Sequence, residues 1–127
     1  MEGNPDTEFL RQPDRPRPAV QSHAGGAVPL EIPSQLVSRL EKTAAAHHAT
    51  LFMVLLSGFQ ILLSRYSRSD DIVVGSPYAC RDRAEVTDLI GCFANTLAMR
   101  LNLQGVSTMA ELMDHVRSTV SAAIDHA

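Results

Sequence analysis

The residues whose types could do chemistry fall into a few groups: the adjacent pair His47 and His48, the serines Ser57, Ser76 and Ser107, the cysteines Cys80 and Cys92, and the polar residues in the apolar run IGCFANTLAMR at 90–100. Adjacent helical residues point about 100° apart, whereas a shared metal wants ligands at i and i+4. His47 and His48 are therefore read as histidines near a helix C-terminus, where the dipole favours positive charge. His115 and His126 are read the same way, and His23 lies far from any second ligand, so no metal site is expected. None of the serines sits in a GxSxG elbow, and neither cysteine has a neighbouring base to lower its pKa, so nucleophilic catalysis has no support. Both cysteines are taken as reduced packing residues. Gly75 and Gly91 stand alone and read as bends or close backbone approaches rather than phosphate loops. Arg81, Asp82, Arg83, Glu85 and Asp88 read as a solvated loop, with a docking surface as the alternative. Asn95 and Thr96 are the unusual pair: polar groups in a core strand need structural partners or a channel to line.

The elements that must position these residues follow from periodicity. Residues 1–26 are rich in proline, arginine and aspartate and predict an extended connector, a linker or a covering strap. AVPLEI at 27–32 alternates and predicts a short strand. Ser34 is the predicted N-cap of a helix reaching His47 or His48, with Leu36, Val37, Leu40 and Ala44 on one face. Thr50 caps a second helix, in which Ser57, Gln60, Ser64 and Arg68 form a narrow polar stripe and apolar residues cover nearly everything else, so protein is expected around most of it. DIVVGSP at 71–77 predicts a strand buried on both faces. A charged loop with a short helical turn leads to a second strand, NTLAMRLNL. Thr108 with Glu111 forms a capping box that opens a last helix with Leu112, Met113, Val116, Val120, Ala123 and Ile124 inward. The implied class is α/β, a mixed β-sheet covered by helices.

Composition removes several functions. With 11 Lys and Arg against 14 Asp and Glu in 127 residues, the chain has no basic footprint for nucleic acid. Two cysteines make no disulfide framework and show no CxxC spacing. The polar N-terminus lacks the apolar core of a signal peptide, which predicts a cytoplasmic chain. The apolar stretch 51–63 is shorter than the roughly 20 residues a spanning helix needs, so no membrane partner is expected.

Three strings in order, DRPRPAVQS at 14–22, ATLFMVLLSGFQILLSRYSRSDDIVVGSPYACRDRAEV from Ala49, and IGCFANTLAMRL from Ile90, closely resemble the condensation domain of nonribosomal peptide synthetases. The resemblance implies a chloramphenicol-acetyltransferase-like fold of two lobes, of which residues 27–127 would be the start of the C-terminal lobe. The family joins an acyl or peptidyl donor and an aminoacyl acceptor, each held as a thioester on the phosphopantetheine of a carrier protein, into an amide. No cofactor is expected on this chain itself; carrier protein domains and the N-terminal lobe are the implied partners, with self-association also possible for a lone lobe. The family's HHxxxDG motif is not in this sequence: counted from His47, its Asp and Gly would fall at Phe52 and Met53. No catalytic residue is assigned, and the chain alone is expected to be inactive. IGCFANTLAMR matches the family pattern IGxFxNT followed by apolar residues and Arg, which implies that Asn95, Gly91 and Phe93 border the substrate tunnel while Ile90, Thr96 and Arg100 are structural. The alternatives are a non-catalytic interaction module and a fragment of a related CoA-dependent acyltransferase.

Overall fold

In the computed structural model, Val20 and residues 25–81 and 84–127 are described; nearly all of the expected connector, including His23, lies outside them. Two helices begin in the manner their sequences dictate. Thr50 Oγ1 accepts the Met53 N–H at 3.2 Å and opens α2, Leu51–Ser67. Thr108 Oγ1 accepts the Glu111 N–H at 3.2 Å and opens α4, Met109–Asp125, while the Glu111 carboxylate takes the Thr108 N–H at 3.0 Å. Each bond supplies an N–H that the first helical turn leaves without a partner.

The first helix, α1, spans Ser34–Ala46. Its cap is Pro33 rather than the expected Ser34: the Pro33 carbonyl accepts from Leu36 and Val37 at 2.8 and 3.1 Å, and no side chain caps it. Proline's fixed φ sets the entry to the helix without a side-chain oxygen. After α1, His48 takes a left-handed conformation at φ 52° and turns the chain into α2.

The strands are β1, Asp71–Tyr78, and β2, Asn95–Asn102, separated by a loop carrying the short α3, Ala84–Thr87. They pair antiparallel, Asp71 opposite Asn102 through Tyr78 opposite Asn95. Helices and sheet give the expected α/β class, and among the described residues the sheet has these two strands only. Two expectations need correction. Residues 27–32 form no strand: among the described residues they pair with nothing, and Val28 and Leu30 stand in solvent. Alternation prepares a face for burial, but a strand also needs a neighbour to take its backbone groups. Likewise β1 is covered on one face only, with Ile72 buried and Val73 59% exposed.

The core lies where α2 and α4 cover the other face of the hairpin. Leu97, Met99 and Leu101 of β2 meet Leu112, Met113, Val116 and Val120 of α4 and Val54 and Leu56 of α2. Of the last helix's predicted inward residues, Ala123 packs at the core's margin and Ile124 is exposed.

Helix α2 lies with Ser57, Gln60 and Ser64 of its expected polar stripe inward, whereas Arg68, the fourth, caps the helix in a left-handed conformation and is exposed. Ser57 and Gln60 are buried, whereas Phe52, Leu55, Phe59, Leu62 and Tyr66 are exposed. The inward hydroxyls are satisfied by the helix's own carbonyls: Ser57 donates to Val54 at 2.7 Å and Ser64 to Ile61 at 2.9 Å. Gln60 reaches across instead, and its Nε2 donates to the Met99 carbonyl of β2 at 3.0 Å. Its Oε1 is buried without a partner. No single described helix is long and apolar enough to cross a membrane.

Two outcomes follow for stability. Gln60→Ala removes the link to β2 and opens a cavity, and is expected to cost about 2–4 kcal/mol in a denaturant melt; Gln60→Met keeps the volume and discards the unpartnered oxygen, so its cost stays within about 1.5 kcal/mol. The Ser107 and Thr108 N–H groups hold the Glu111 carboxyl below its usual value. A lowered carboxylate pKa stabilises the fold at neutral pH and loses that effect as pH falls through the carboxylate range. Glu111→Gln should therefore shrink the stability difference between pH 7 and pH 3, which paired melts will measure.

Candidate functional site

The loop between the strands is built around Arg81. Its Nη1 donates to the carbonyls of Val86 at 2.9 Å and Leu89 at 3.0 Å, and its Nη2 to that of Gly91 at 2.7 Å. The guanidinium also lies 5.0 Å from the centroid of the Phe93 ring. Carbonyls turned inward along a loop suit a planar cation with several donors in fixed directions, which is what guanidinium offers. Part of the run read as a solvated loop is thus an internal clamp, and it sets the path of 86–93 into β2.

The expected tunnel residues divide accordingly. Gly91 and Phe93 are brought together by Arg81, and Phe93 is half-buried beneath it. Ile90 between them projects fully into solvent. Asn95 opens β2, exposed; its Oδ1 accepts the Thr96 N–H at 2.8 Å and its Nδ2 is left uncommitted. Asn95 and Thr96 stand at one end of a groove of about 550 Å³ between β2 and the C-terminal half of α4, with Ala98, Thr119 and Ala122 along it. Thr96 also lies against β1: a Cβ at Gly75 would meet its Cγ2 at 3.2 Å, so Gly75 is a close approach, as expected.

Arg100 lines the far end of the same groove. It lies about 17 Å along the strand from Asn95, at about 3.4 Å per residue, and makes a bidentate pair with Asp71 at 2.9 and 2.7 Å. Donation from Arg100 holds the Asp71 carboxyl below its usual pKa, against a smaller opposing effect of burial. The pair sits at the solvent face of the hairpin and joins its two strands.

A second, more apolar pocket of about 280 Å³ lies beside the end of β1, between Phe52, Met53, Pro77, Tyr78, Val120 and Ile124. Among the described residues no group of His, Cys, Asp or Glu is arranged to hold a metal ion. Both cysteines are free, but only Cys80 is even half-buried; Cys92 is exposed, so it is not the packing residue expected.

The family model described as Condensation domain matches residues 2–127. The chain belongs to the condensation-domain family. It is 49% identical over 113 residues to a linear gramicidin synthase of Brevibacillus parabrevis, a match covering 89% of this chain and 2% of that protein. Among solved structures, a four-domain nonribosomal peptide synthetase bound to AMP and glycine superposes with a TM-score of 0.81 at 30% identity, over 89% of this chain and 9% of that one. The first condensation domain of the calcium-dependent antibiotic synthetase superposes with a TM-score of 0.68 at 25% identity, over 95% of this chain and 28% of that one. This chain is therefore a fragment of a nonribosomal peptide synthetase condensation domain, spanning a small part of its relatives' length.

Within that domain the IGxFxNT stretch is the loop-to-strand junction that Arg81 holds. Sequence reasoning placed Arg81 in a solvated charge run and gave it no role of its own, because a residue that binds backbone carbonyls leaves no complementary residue type in the sequence to find. Arg81→Ala is expected to speed chymotryptic cleavage after Phe93, by roughly tenfold if the clamp is worth the ~1.5 kcal/mol of a charged hydrogen bond. Arg81→Lys should not restore resistance, since an ammonium lacks the planar fork.

Proposed function

We propose that this chain supplies the IGxFxNT side of the substrate tunnel in a condensation domain that forms an amide between two carrier-bound thioesters. In that reaction the acceptor's amine nitrogen attacks the donor's thioester carbonyl, the new C–N bond replaces the C–S bond, and the pantetheine thiol leaves. The observation that carries the reading is Asn95, exposed at the mouth of a groove with its Nδ2 uncommitted and its Oδ1 fixed by the next backbone N–H. A side chain oriented on one atom and free on the other suits hydrogen bonding to a ligand. The phosphopantetheine arm presents amide carbonyls that such a donor would hold, and it supplies the thioester that is broken.

Aligning two thioesters requires groups preorganised around the reacting atoms from more than one side. The grooves of this fragment are open to solvent, so the proposal assigns amide formation to the assembled domain and none to these 127 residues alone. Carrier proteins and the other lobe are the partners this reading requires.

In an intact condensation domain carrying this sequence, Asn95→Ala is expected to reduce amide formation at least tenfold while leaving the melting temperature unchanged, since the residue is exposed and its one bond is local. Unchanged turnover with unchanged stability would remove Asn95 from the role. Amide formation by the isolated chain would overturn the assignment to the assembled domain.

A further inference from the structure

The chain leaves β1 through an unusual backbone. Cys80 has φ 51°, a left-handed conformation that a residue other than glycine holds only where its surroundings enforce it. Beyond it, the half-buried Arg81 turns its guanidinium onto residues 86–93, on the approach to β2. None of the described side chains from 84 to 94 is buried, so the core has little stake in the loop's shape. A clamp of three charge-assisted bonds is nevertheless spent on that shape. Its last two contacts are the Gly91 carbonyl at 2.7 Å and the Phe93 ring at 5.0 Å, four and two positions before Asn95.

We infer that Arg81 is a positioning residue for amide formation, which touches neither substrate and acts by holding Gly91 and Phe93 at the border of the tunnel. This role rests on the reading of the IGxFxNT stretch as one side of that tunnel, and it extends the machinery to a residue outside the motif. A loop with few buried contacts opens more readily than the core beside it, and Arg81 is what returns it to one shape. Alignment is sensitive to such a border: a misplacement of about 1 Å can cost about a hundredfold in rate. A displaced border misaligns bound substrates without releasing them, so the rate at saturation falls while the half-saturating concentrations hold. Several carbonyls converging on one planar cation require the guanidinium fork, which an ammonium does not reproduce.

The test uses the same intact condensation domain as Asn95→Ala. Arg81→Ala and Arg81→Lys are each expected to slow single-turnover amide formation, at saturating carrier-bound donor and acceptor, by roughly tenfold or more, with the half-saturating concentrations changed less than about threefold. Guanidinium ion at millimolar concentration, far below what unfolds the domain, should restore part of the rate lost in Arg81→Ala and none in Arg81→Lys, whose side chain fills the site. A residue that only stabilised the fold would show no such selective rescue.

A saturated rate within about twofold of the parent in a variant that melts cooperatively would overturn the inference; with faster cleavage after Phe93 it would mean a clamp without a part in the reaction. A loss confined to the half-saturating concentrations, or one in Arg81→Ala that guanidinium does not relieve, would overturn it as well. Arg81→Lys keeps the charge and most of the volume, and decides the matter if Arg81→Ala does not melt cooperatively; failure of both variants to do so makes Arg81 a stability residue and ends the proposal. Arg81 variants that react normally beside an impaired Asn95→Ala sink only this inference. A normal Asn95→Ala beside impaired Arg81 variants sinks only the role given to Asn95, and a parent domain that forms no amide overturns the functional reading on which both stand.

Discussion

The amide of Gln60, 1% exposed and bonded at 3.0 Å to the carbonyl of Met99, fixes how this chain packs. A helix as apolar as α2 has little in its pattern to choose a rotation about its own axis, because nearly any face could be buried. The inward serines do not choose it either, since each is satisfied by a carbonyl of its own helix and would be so in any orientation. Gln60 is different: its polar end extends beyond its own turn and, once buried, needs a partner elsewhere. The bond to β2 supplies one for Nε2. It locks the polar stripe inward and thereby turns Phe59 and its neighbours outward.

Much of this arrangement was legible from the sequence where the determining interactions are local. The Thr50 and Thr108 caps join residues three apart, and the alternation of Leu97, Met99 and Leu101 lies within one strand, so short-range pattern was sufficient. Of the expected polar stripe of α2, Ser57, Gln60 and Ser64 lie inward while Arg68 stands past the helix end and is exposed, and the direction of the stripe depends on a partner 39 residues away. Residues 27–32 failed as a strand for a related reason: the pattern is present, and among the described residues the pairing strand is not. At the site, Asn95 stood out because a polar side chain in an apolar run is conspicuous. Arg81 did not, because its partners are main-chain carbonyls, which every residue carries.

The two ends of the hairpin are held by arginines in different ways. Arg100 pairs with Asp71 in solvent, where a salt bridge contributes at most about 1 kcal/mol, and the strands beneath are held mainly by the buried side chains of β2. At the other end, Arg81 gathers three carbonyls of a loop that contributes almost nothing to the core and leaves Ile90 wholly in solvent. Charge-assisted bonds from one side chain, rather than apolar burial, determine the loop's shape.

Regions held by few buried contacts open more readily than the core around them. Residues 86–93 can therefore move while β2 stays in place, and Asn95 stands beside the junction between them. Its backbone is the first paired position of a strand whose next inward residue, Leu97, is buried, and its side chain faces the loop's end of the groove. A hydrogen-bonding group at such a junction keeps a fixed position while its surroundings adjust to what enters. Asn95 thus combines a position set by strand pairing with a border that is free to adjust.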